Sequence, residues 1–352
     1  MPEIIFSKSN LPNTPGSAVY GEYAHKIKMY ISEESNRWEK EKDIVQKLYN
    51  VEKSNGHSEA ILGETNFGIF ADVAEGAEAP ADTVIPGFDK NITHHEFKKS
   101  FVITKTMMED AKNGIAADAK VRARNFARAY GMTRNKLAAA ALANGTMGTM
   151  KFVNVDYDIT TADGLPLFNN AHKFPKSELG TQSNNFKATV AEDAVFSTAD
   201  LENALTAVSI NMRNFKDDNG EPLGYVPDII ILPGNRGTLE TMVKKVVGTE
   251  RTTGTNNNDI GLQYGNWDIV VLTDWVSDTD QFIVMSSDAN EALRGSNLFD
   301  RVPLTVRYDV DHLTENQVWV GRARMGIGHY TWKHVARVTL GADDNATELT
   351  LD

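Results

Sequence analysis

The stretch IAADAKVRARNFARAYGMTRNKLAAAALANG, residues 115–145, decides the fold. Alanine and larger apolar residues recur in it every three or four positions, which is the spacing of one helix face. The members of this stripe are Ala119, Ala123, Phe126, Ala127, Tyr130, Leu137 and Ala141. Asn144-Gly145 ends the pattern in the manner of a C-terminal cap. The sequence therefore predicts a helix roughly 43 Å long, about three times an ordinary globular helix.

A two-stranded feature precedes this helix. Residues 60–73 and residues 92–104 both alternate between apolar and polar side chains, and a tip rich in glycine, proline and acidic residues separates them. This pattern predicts a long β-hairpin. Because a two-stranded ribbon is marginally stable alone in water, we expect the hairpin to rest on another surface. Thr106 and Glu109, which follow, have the spacing of a capping box for a short helical turn, and Asn113-Gly114 interrupts that turn.

The N-terminal region shows a different pattern. Its first ~20 residues are rich in turn-forming residues and lack periodicity, which is typical of an arm. From about residue 22 to residue 49, apolar residues recur at partly helical spacing among many charges. A solvated amphipathic helix is the favoured interpretation, and an arm that packs on a neighbouring subunit is the alternative.

The middle and end of the chain alternate helices with strands. Ser197 and Asp200 have capping-box spacing at the start of a predicted helix that carries Leu201, Leu205 and Val208. The other predicted elements are strands at 228–232, 267–272, 281–285, 304–310, 318–320 and 332–340, a helix at about 236–247, and a polar loop at 248–259. We find no repeat at a fixed period.

Composition and charge exclude several classes of function. The 352 residues are 41% hydrophobic and 24% charged, which is typical of a globular protein. The chain has no cysteine, which excludes thiol nucleophiles, disulfides, iron–sulfur clusters and cysteine-containing zinc sites. A net charge of −12 argues against coating nucleic acid through a basic surface. We see neither a secretory signal nor an apolar run of ~18 residues, so we expect a soluble protein made in the cytoplasm.

Searches for catalytic and metal-binding motifs return nothing. The sequence lacks a phosphate-binding Gly-x4-Gly-Lys motif and a Gly-x-Ser-x-Gly nucleophile elbow. His94-His95-Glu96 lacks a second histidine at the spacing of a helical zinc site. Asp217-Asp218-Asn219-Gly220 lacks the alternating ligands of a calcium loop and indicates a tight turn. We therefore expect no enzyme, no cofactor and no metal.

The order of these elements resembles the tailed-phage major capsid protein, which has the Hong Kong 97 fold. Two local stretches narrow the resemblance. Residues 163–172, DGLPLFNNAH, are similar to the Asp-Gly-x-x-Leu-Phe…His signature of Mu-like major head subunits. Residues 218–223, DNGEPL, with residues 227–233, PDIIILP, are similar to that family's turn and strand entering the axial domain.

The resemblance implies an α+β fold built from five parts. The implied domains are the N-terminal arm (1–55), the extended β-hairpin loop (56–105), the spine helix of the peripheral domain (106–145), the mixed α/β axial domain with inserted loops (146–300), and returning strands of the peripheral domain with a C-terminal tail (301–352). Too few residues precede the hairpin for the scaffolding segment that some family members carry. The resemblance therefore implies a separate scaffolding protein.

The implied function is a structural subunit that assembles with itself, as pentamers and hexamers, into an icosahedral phage head. Implied partners are a portal, packaged double-stranded DNA without sequence-specific contact, and decoration proteins as further candidates, with no membrane. The implied location is the virion capsid, assembled in the bacterial host cytoplasm. Two alternatives stay open at this point: an encapsulin-like nanocompartment shell and a cytoplasmic α/β enzyme.

Charged residues on the exposed elements are the candidate assembly contacts. Hairpins and arms present strand edges or apolar faces that need a neighbour. The candidates are Glu75 and Glu78 at the hairpin tip, Lys98 and Lys99 on its second predicted strand, and Arg124 and Arg128 on the long helix.

Overall fold

A computed structural model of the chain describes residues 5–7, 17–65, 69–70, 72–76, 78, 81, 85–110, 117–189, 196–247 and 267–349. The turn-rich start of the chain at 10–16, the interruption at 113–114 and the polar loop at 248–259 lie outside these residues. Two units divide the chain. The first unit is made of residues 1–59, 92–138 and 298–327, and the second of residues 60–91, 139–297 and 328–352.

Both units contain helices and strands. The helices are α1 (Ser17–Lys42), α2 (Val45–Leu48), α3 (Lys105–Glu109), α4 (Ala117–Ala143), α5 (Thr198–Arg213), α6 (Gly237–Val247) and α7 (Ser287–Ala292). The strands are β1 (Ile5–Ser7), β2 (Asn50–Lys53), β3 (Ser58–Ile61), β4 (Lys90–Thr93), β5 (His95–Ile103), β6 (Thr149–Phe152), β7 (Val155–Asp158), β8 (His172–Lys173), β9 (Thr181–Gln182), β10 (Asn185–Ala188), β11 (Ile229–Pro233), β12 (Asp268–Leu272), β13 (Gln281–Met285), β14 (Ser296–Val310), β15 (Gln317–His329), β16 (Val335–Leu340) and β17 (Thr347–Glu348).

The first unit is built on a sheet with the order β1-β14-β15-β5, in which β2 also pairs with β14. Side chains from this sheet, from α1 and from α4 share one hydrophobic core. Its centre is aromatic: the Phe126 ring of α4 lies 5.0 Å from Phe101 of β5, and the Trp319 ring stacks on Tyr308 at 4.9 Å. These rings hold the helix against the sheet.

The apolar stripe predicted for the long helix is confirmed. Ala119 and Ala123 are completely buried and Phe126 is 6% exposed. Small side chains let α4 approach the sheet closely, and Phe126 packs directly over Gly321 of β15. A side chain at position 321 would collide with that ring, so the glycine is required by the close approach.

The amphipathic interpretation of the N-terminal helix is also confirmed. Ala24, Ile27 and Ile31 of α1 are at most 2% exposed and pack in the same core as α4. The apolar face of α1 is therefore covered within its own chain. An arm that packs on a neighbouring subunit is not needed to bury this face.

The strand pairing expected for the hairpin is wrong in one respect. Strand β5 forms where residues 92–104 alternate, but it pairs antiparallel with β15 from His95↔Met325 to Ile103↔Gln317. The described strand on the other side is only Ser58–Ile61, which pairs with Lys90–Thr93. An alternating apolar and polar pattern indicates that one face of a strand is buried, but it does not identify the strand with which it pairs. Here Phe97 and Phe101 lie on the face that is partly buried.

The two predicted capping boxes have different outcomes. Ser197 and Asp200 form a capping box at the start of α5, in which each side chain bonds the backbone of the other residue. The N-cap of α3 is Thr104, whose hydroxyl accepts from the Met107 backbone, and not Thr106. Thr104 satisfies the first free backbone N–H groups of that helix.

The second unit is built on a mixed sheet with the order β12-β11-β13-β16-β10-β17. Helices α5 and α6 pack against it through a core that includes Leu205, Val243 and Phe282. All five residues of β11 are buried, as its unbroken apolar run predicts. Strands β16 and β17 belong to this sheet.

Three polar side chains form a buried hydrogen-bond network in the second unit. The Ser296 hydroxyl lies 2.9 Å from Nδ1 of His329 and 2.7 Å from Nε2 of His334. All three side chains are completely buried. Because burial disfavours the charged imidazolium, the pKa of His329 and that of His334 are both lowered to about 3. Both rings are therefore neutral at pH 7.

We predict that Phe126→Ala will lower the free energy of unfolding by about 3–5 kcal/mol, because it opens a cavity between α4 and the sheet. Denaturant or thermal unfolding of the unassembled subunit measures the effect. Val121→Ala on the same helix is the matched control, because Val121 is 53% exposed. The control should change stability by less than about 0.5 kcal/mol. Equal losses for the two variants would mean that α4 faces the other way.

We predict that acid weakens the second unit through its two buried histidines. Their folded-state pKa of about 3 lies below the unfolded value of 6.5, so below pH 6.5 only the unfolded chain takes up these protons. Stability should fall by up to about 1.4 kcal/mol per pH unit for each histidine as the pH drops from 6.5 towards 3. Denaturant midpoints measured across this range give the slope.

The variants His334→Gln and His329→Asn separate this effect from the other titrating groups. Burial also lowers the pKa of His95, which adds a contribution of the same sign. Each variant should therefore show a shallower pH slope than the wild type, even where its absolute stability is lower. A slope unchanged in both variants would contradict the assignment.

Candidate assembly surface

The hairpin leaves the second unit through a narrow base. The Gly87 N–H donates to the Gly63 carbonyl at 2.7 Å, and the Thr65 N–H donates to the Ile85 carbonyl at 3.0 Å. A Cβ at position 87 would lie 2.9 Å from the Gly63 carbonyl carbon. Two glycines facing each other thus allow the two backbones to approach closely, which fixes where the hairpin leaves the unit.

The hairpin exposes large apolar side chains at its base and beyond it. Leu62, next to the base, is 75% exposed, and beyond it Phe70 is 102% exposed, Ile69 80% and Val73 46%. Exposure of several large apolar side chains on one segment is typical of a protein interaction site. Full burial of a phenylalanine or isoleucine side chain contributes roughly 1.5–3 kcal/mol. This segment therefore has a strong tendency to associate with another surface.

The acidic candidates Glu75 and Glu78 lie on the same segment. Both are exposed, as is Asp72. Among the residues that the structure describes, neither Glu75 nor Glu78 makes an ion pair. Their carboxylates are therefore available to a cationic partner.

The basic candidates Lys98 and Lys99 lie on β5 in the first unit, and both are exposed. Lys98 Nζ lies 2.8 Å from a carboxylate oxygen of Glu96, which also accepts from Arg322 of the adjacent strand. Hydrogen bonds from Lys98 and then Arg322 lower the pKa of Glu96 to about 2. Lys99 makes no ion pair in the described part of the chain. Glu96, Lys98 and Arg322 thus form a charged cluster on an exposed face of the sheet.

Arg124 and Arg128 have partners in their own chain. Arg128 Nε lies 2.5 Å from Oε1 of Glu34, and Arg124 Nη2 lies 3.8 Å from Oε2 of Glu33, both on α1. The Arg124 guanidinium also lies 5.5 Å from the centre of the Tyr30 ring. These contacts fasten α1 to α4. The two arginine side chains are nevertheless 39% and 46% exposed, so part of each arginine lies on the surface.

One buried ion pair is not predicted by the sequence. Arg134 of α4 donates to both carboxylate oxygens of Asp300 on β14 at 2.7 and 2.9 Å, and their side chains are 0% and 3% exposed. Burial alone would lower the pKa of Arg134, but Tyr130 and Asp300 outweigh it and raise the pKa. No local pattern reveals a pair separated by 166 positions. Arginine in a run of surface-type residues resembles any other exposed cation.

The motif at 163–172 has a structural role in this chain. His172 donates its Nδ1–H to Asp163 at 2.8 Å, and the ring stacks on Trp332 at 4.7 Å. Burial alone would raise the pKa of Asp163, but hydrogen bonds from His172, Thr161 and the Leu165 backbone lower it. The motif thus folds its loop around one carboxylate.

The enzyme alternative requires a concave site with groups free to react. A cavity of about 260 Å³ in the second unit is lined by Asp163, Asp218 and Lys333 among others. Lys333 Nζ lies 2.7 Å from Asp218, and Asp163 is held by His172. Both carboxylates therefore have partners within the chain.

Within the described ranges, no three His, Cys, Asp or Glu side chains come together as a metal-binding group. In that part of the chain, none of the helices is both long enough and apolar enough to cross a bilayer.

Comparison with solved structures defines the class. The capsid of cyanophage P-SCSP1u matches with a TM-score of 0.52 and 11% identity, covering 86% of this chain and 89% of that chain. The capsid of Myoviridae phage XM1 matches with a TM-score of 0.50 and 13% identity, covering 82% and 89%. The capsid of a native GTA particle matches with a TM-score of 0.50 and 12% identity, covering 85% and 90%. The fold is that of Hong Kong 97-type phage capsid proteins.

Sequence comparison then gives the family. The sequence profile described as "Phage capsid protein" matches residues 89–338. The chain belongs to this phage capsid protein family, as a major capsid protein and thus a structural protein of the virion capsid. No curated protein sequence matches the chain significantly. None of the matches favours the encapsulin-like shell or the enzyme, and the narrower likeness to Mu-like head subunits stays a prediction.

We predict that Asp300→Asn will lower the free energy of unfolding by about 3–5 kcal/mol, because it leaves the Arg134 charge buried without a counter-ion. Chemical unfolding of the subunit measures the loss. Glu41→Gln is the control, since the Arg37–Glu41 pair has side chains 60% and 51% exposed. Such an exposed pair contributes about 0–1 kcal/mol. If both variants lost the same small amount, the buried pair would not support the core.

Proposed function

We propose that this major capsid protein assembles through pentamers and hexamers into the icosahedral head of a tailed phage or prophage, and that the head encloses double-stranded DNA. The observation that carries this proposal is the hairpin. Several exposed large apolar side chains on one segment, Ile69 and Phe70 among them, are more typical of a protein interaction site than of a monomer surface. Association with further copies of the chain supplies the missing contact.

The division into domains belongs to the same proposal. In it, residues 1–55 are the arm, 56–105 the extended loop, 106–145 the spine helix, 146–300 the axial domain and 301–352 the returning strands with the tail. The packing of α4 on the sheet of the first unit supports the role of a spine helix. The mixed sheet with α5 and α6 supports the role of an axial domain.

The proposal extends to partners and location. A separate scaffolding protein, a portal and decoration proteins are the proposed protein partners, and assembly takes place in the host cytoplasm. The packaged DNA makes no sequence-specific contact. A net charge of −12 supports this part, because an acidic protein repels phosphates and lets DNA slide during packaging.

We predict that the double variant Ile69→Ser, Phe70→Ser will fold normally and assemble poorly. Both side chains are almost fully exposed in the subunit, so replacing them removes little core and should shift stability by less than about 0.5 kcal/mol. Shells should decrease at least tenfold, as measured by sedimentation and negative-stain microscopy.

Val276→Ser is the matched control for the serine substitutions, because Val276 is 72% exposed in another part of the second unit. It should leave the shell yield within about twofold of the wild type. Normal shells from the hairpin variant would refute the proposed role of the hairpin. A melting temperature that falls in the hairpin variant would mean that its side chains support the subunit core instead.

A further inference from the structure

One buried histidine of the second unit has hydrogen-bond acceptors on both sides of its ring. His172 is completely buried. Its Nδ1 lies 2.8 Å from a carboxylate oxygen of Asp163, and its Nε2 lies 3.2 Å from both the Leu167 carbonyl and Oδ1 of Asn184. Carboxylate and carbonyl oxygens only accept hydrogen bonds, so each ring nitrogen must donate. A histidine ring that donates from both nitrogens is an imidazolium.

The orientation of the Asn184 amide follows from its other contacts. Its Nδ2 faces three backbone carbonyls, that of Leu167 among them, at 2.7, 3.2 and 3.4 Å, so this atom must be the nitrogen. Its Oδ1 accepts from the Asn169 N–H at 3.0 Å. A flipped amide would lose all of these hydrogen bonds. The amide atom that faces Nε2 of His172 is therefore an oxygen.

The surroundings of the His172 ring stabilise a positive charge. Burial alone would raise the pKa of Asp163, but the hydrogen bond from His172 opposes it and the pKa is lowered, so this carboxylate is ionised. The His172 ring also stacks on Trp332, with a centroid distance of 4.7 Å, and the face of an indole attracts cations. A buried charge is stable where it is both paired and hydrogen-bonded. His172 meets both conditions.

Two other completely buried histidines of this unit give an internal comparison. Nδ1 of His329 and Nε2 of His334 both face the Ser296 hydroxyl, which can donate as well as accept. Burial lowers the pKa of both rings to about 3, so both are neutral. Equal burial thus leads to different protonation states, and the carboxylate of Asp163 beside His172 makes the difference.

We propose that His172 is an imidazolium in the folded chain, and that its second proton is a latch that ties the loop 161–173 to Asn184 beside the mixed sheet. A neutral ring would turn a lone pair towards either the Asp163 carboxylate or the Asn184 oxygen, and in a buried site either arrangement is unfavourable. Loss of the proton is therefore linked to opening of the loop. The inference goes beyond the proposed shell function and does not depend on it.

The latched loop forms part of the wall of the 260 Å³ cavity beside the hairpin base. Asp163 of the loop and Phe88 of the hairpin base both line this cavity. The Ala162 N–H donates to the Tyr330 carbonyl at 2.9 Å. The Tyr330 hydroxyl in turn lies against Gly63, where a Cβ would be 2.5 Å from it. Opening of the latch should therefore loosen the hairpin base as well as the loop.

The other charged side chains around the cavity offset one another. They are Glu64, Lys173, Asp217, Asp218, Arg294 and Lys333. Lys333 lies 2.7 Å from Asp218, and the remaining two cations match the remaining two carboxylates in number. The second proton on His172 therefore depends chiefly on Asp163, which hydrogen-bonds to the ring.

Nuclear magnetic resonance measures the protonation state directly. The wild-type chain with ¹⁵N-labelled histidine is measured at about pH 8, where an ordinary histidine with a pKa of about 6.5 is neutral. The subunit is measured in solution and assembled particles in the solid state. The ring assigned to His172 by its contacts with Trp332 should show two protonated nitrogens. His329 and His334 should each show one, and a single protonated nitrogen on His172 would overturn the inference.

The variant His172→Gln tests the latch through stability. Above about pH 6.5 the folded wild type holds one proton more than the unfolded chain, so the folding equilibrium constant should fall by up to about tenfold per pH unit. Denaturant midpoints up to about pH 9 measure this fall, which should be absent in His172→Gln. Hydrogen exchange of the Gly87 N–H at the hairpin base should be at least threefold faster in the variant.

His25→Gln is the matched control, because His25 is exposed on α1, and it should keep the wild-type pH profile and exchange rate. A wild type without the alkaline fall, or a fall that persists in His172→Gln, would contradict the latch. Asp163→Asn gives a second test that keeps the histidine. Without its counter-ion, His172 should show one protonated nitrogen at about pH 8, and two would refute the role of Asp163.

Discussion

The first unit depends on the close packing of one long helix on one sheet. Helix α4 carries alanine at most of its buried positions, so its backbone lies near the strands, and Phe126 fits over Gly321 and beside Phe101. Alanine also has the highest helix propensity, which favours a continuous helix of this length. Helix α1 packs into the same core.

Single helices and strands could be predicted from the residues within them, whereas contacts between distant parts of the chain could not. The stripe of α4, the apolar run of β11 and the capping box at Ser197 each follow from spacing within a few residues. The pairing of β5 with β15 joins residues more than 200 positions apart, and no local pattern encodes it. The Arg134–Asp300 pair was missed for the same reason: its two residues are far apart in the sequence, and each looks like a surface residue there.

The candidate assembly residues divide in the same way. Glu75 and Glu78 were expected on a protruding tip because glycine, proline and acidic residues mark it, and they lie exposed there. Arg124 and Arg128 stay candidate assembly contacts, and the structure adds partners for them in their own chain, Glu33 and Glu34 of α1. Sequence gives the charge and exposure of a side chain more readily than the partner it meets.

The central claim is that this chain builds a closed shell from copies of itself. Negative-stain electron microscopy of the purified protein, produced with and without its scaffolding protein, tests it most directly. We expect hollow particles of uniform diameter with pentameric and hexameric units on their surface. A protein that stays at the 38.8 kDa mass of one chain at every concentration, with scaffold present, would contradict it.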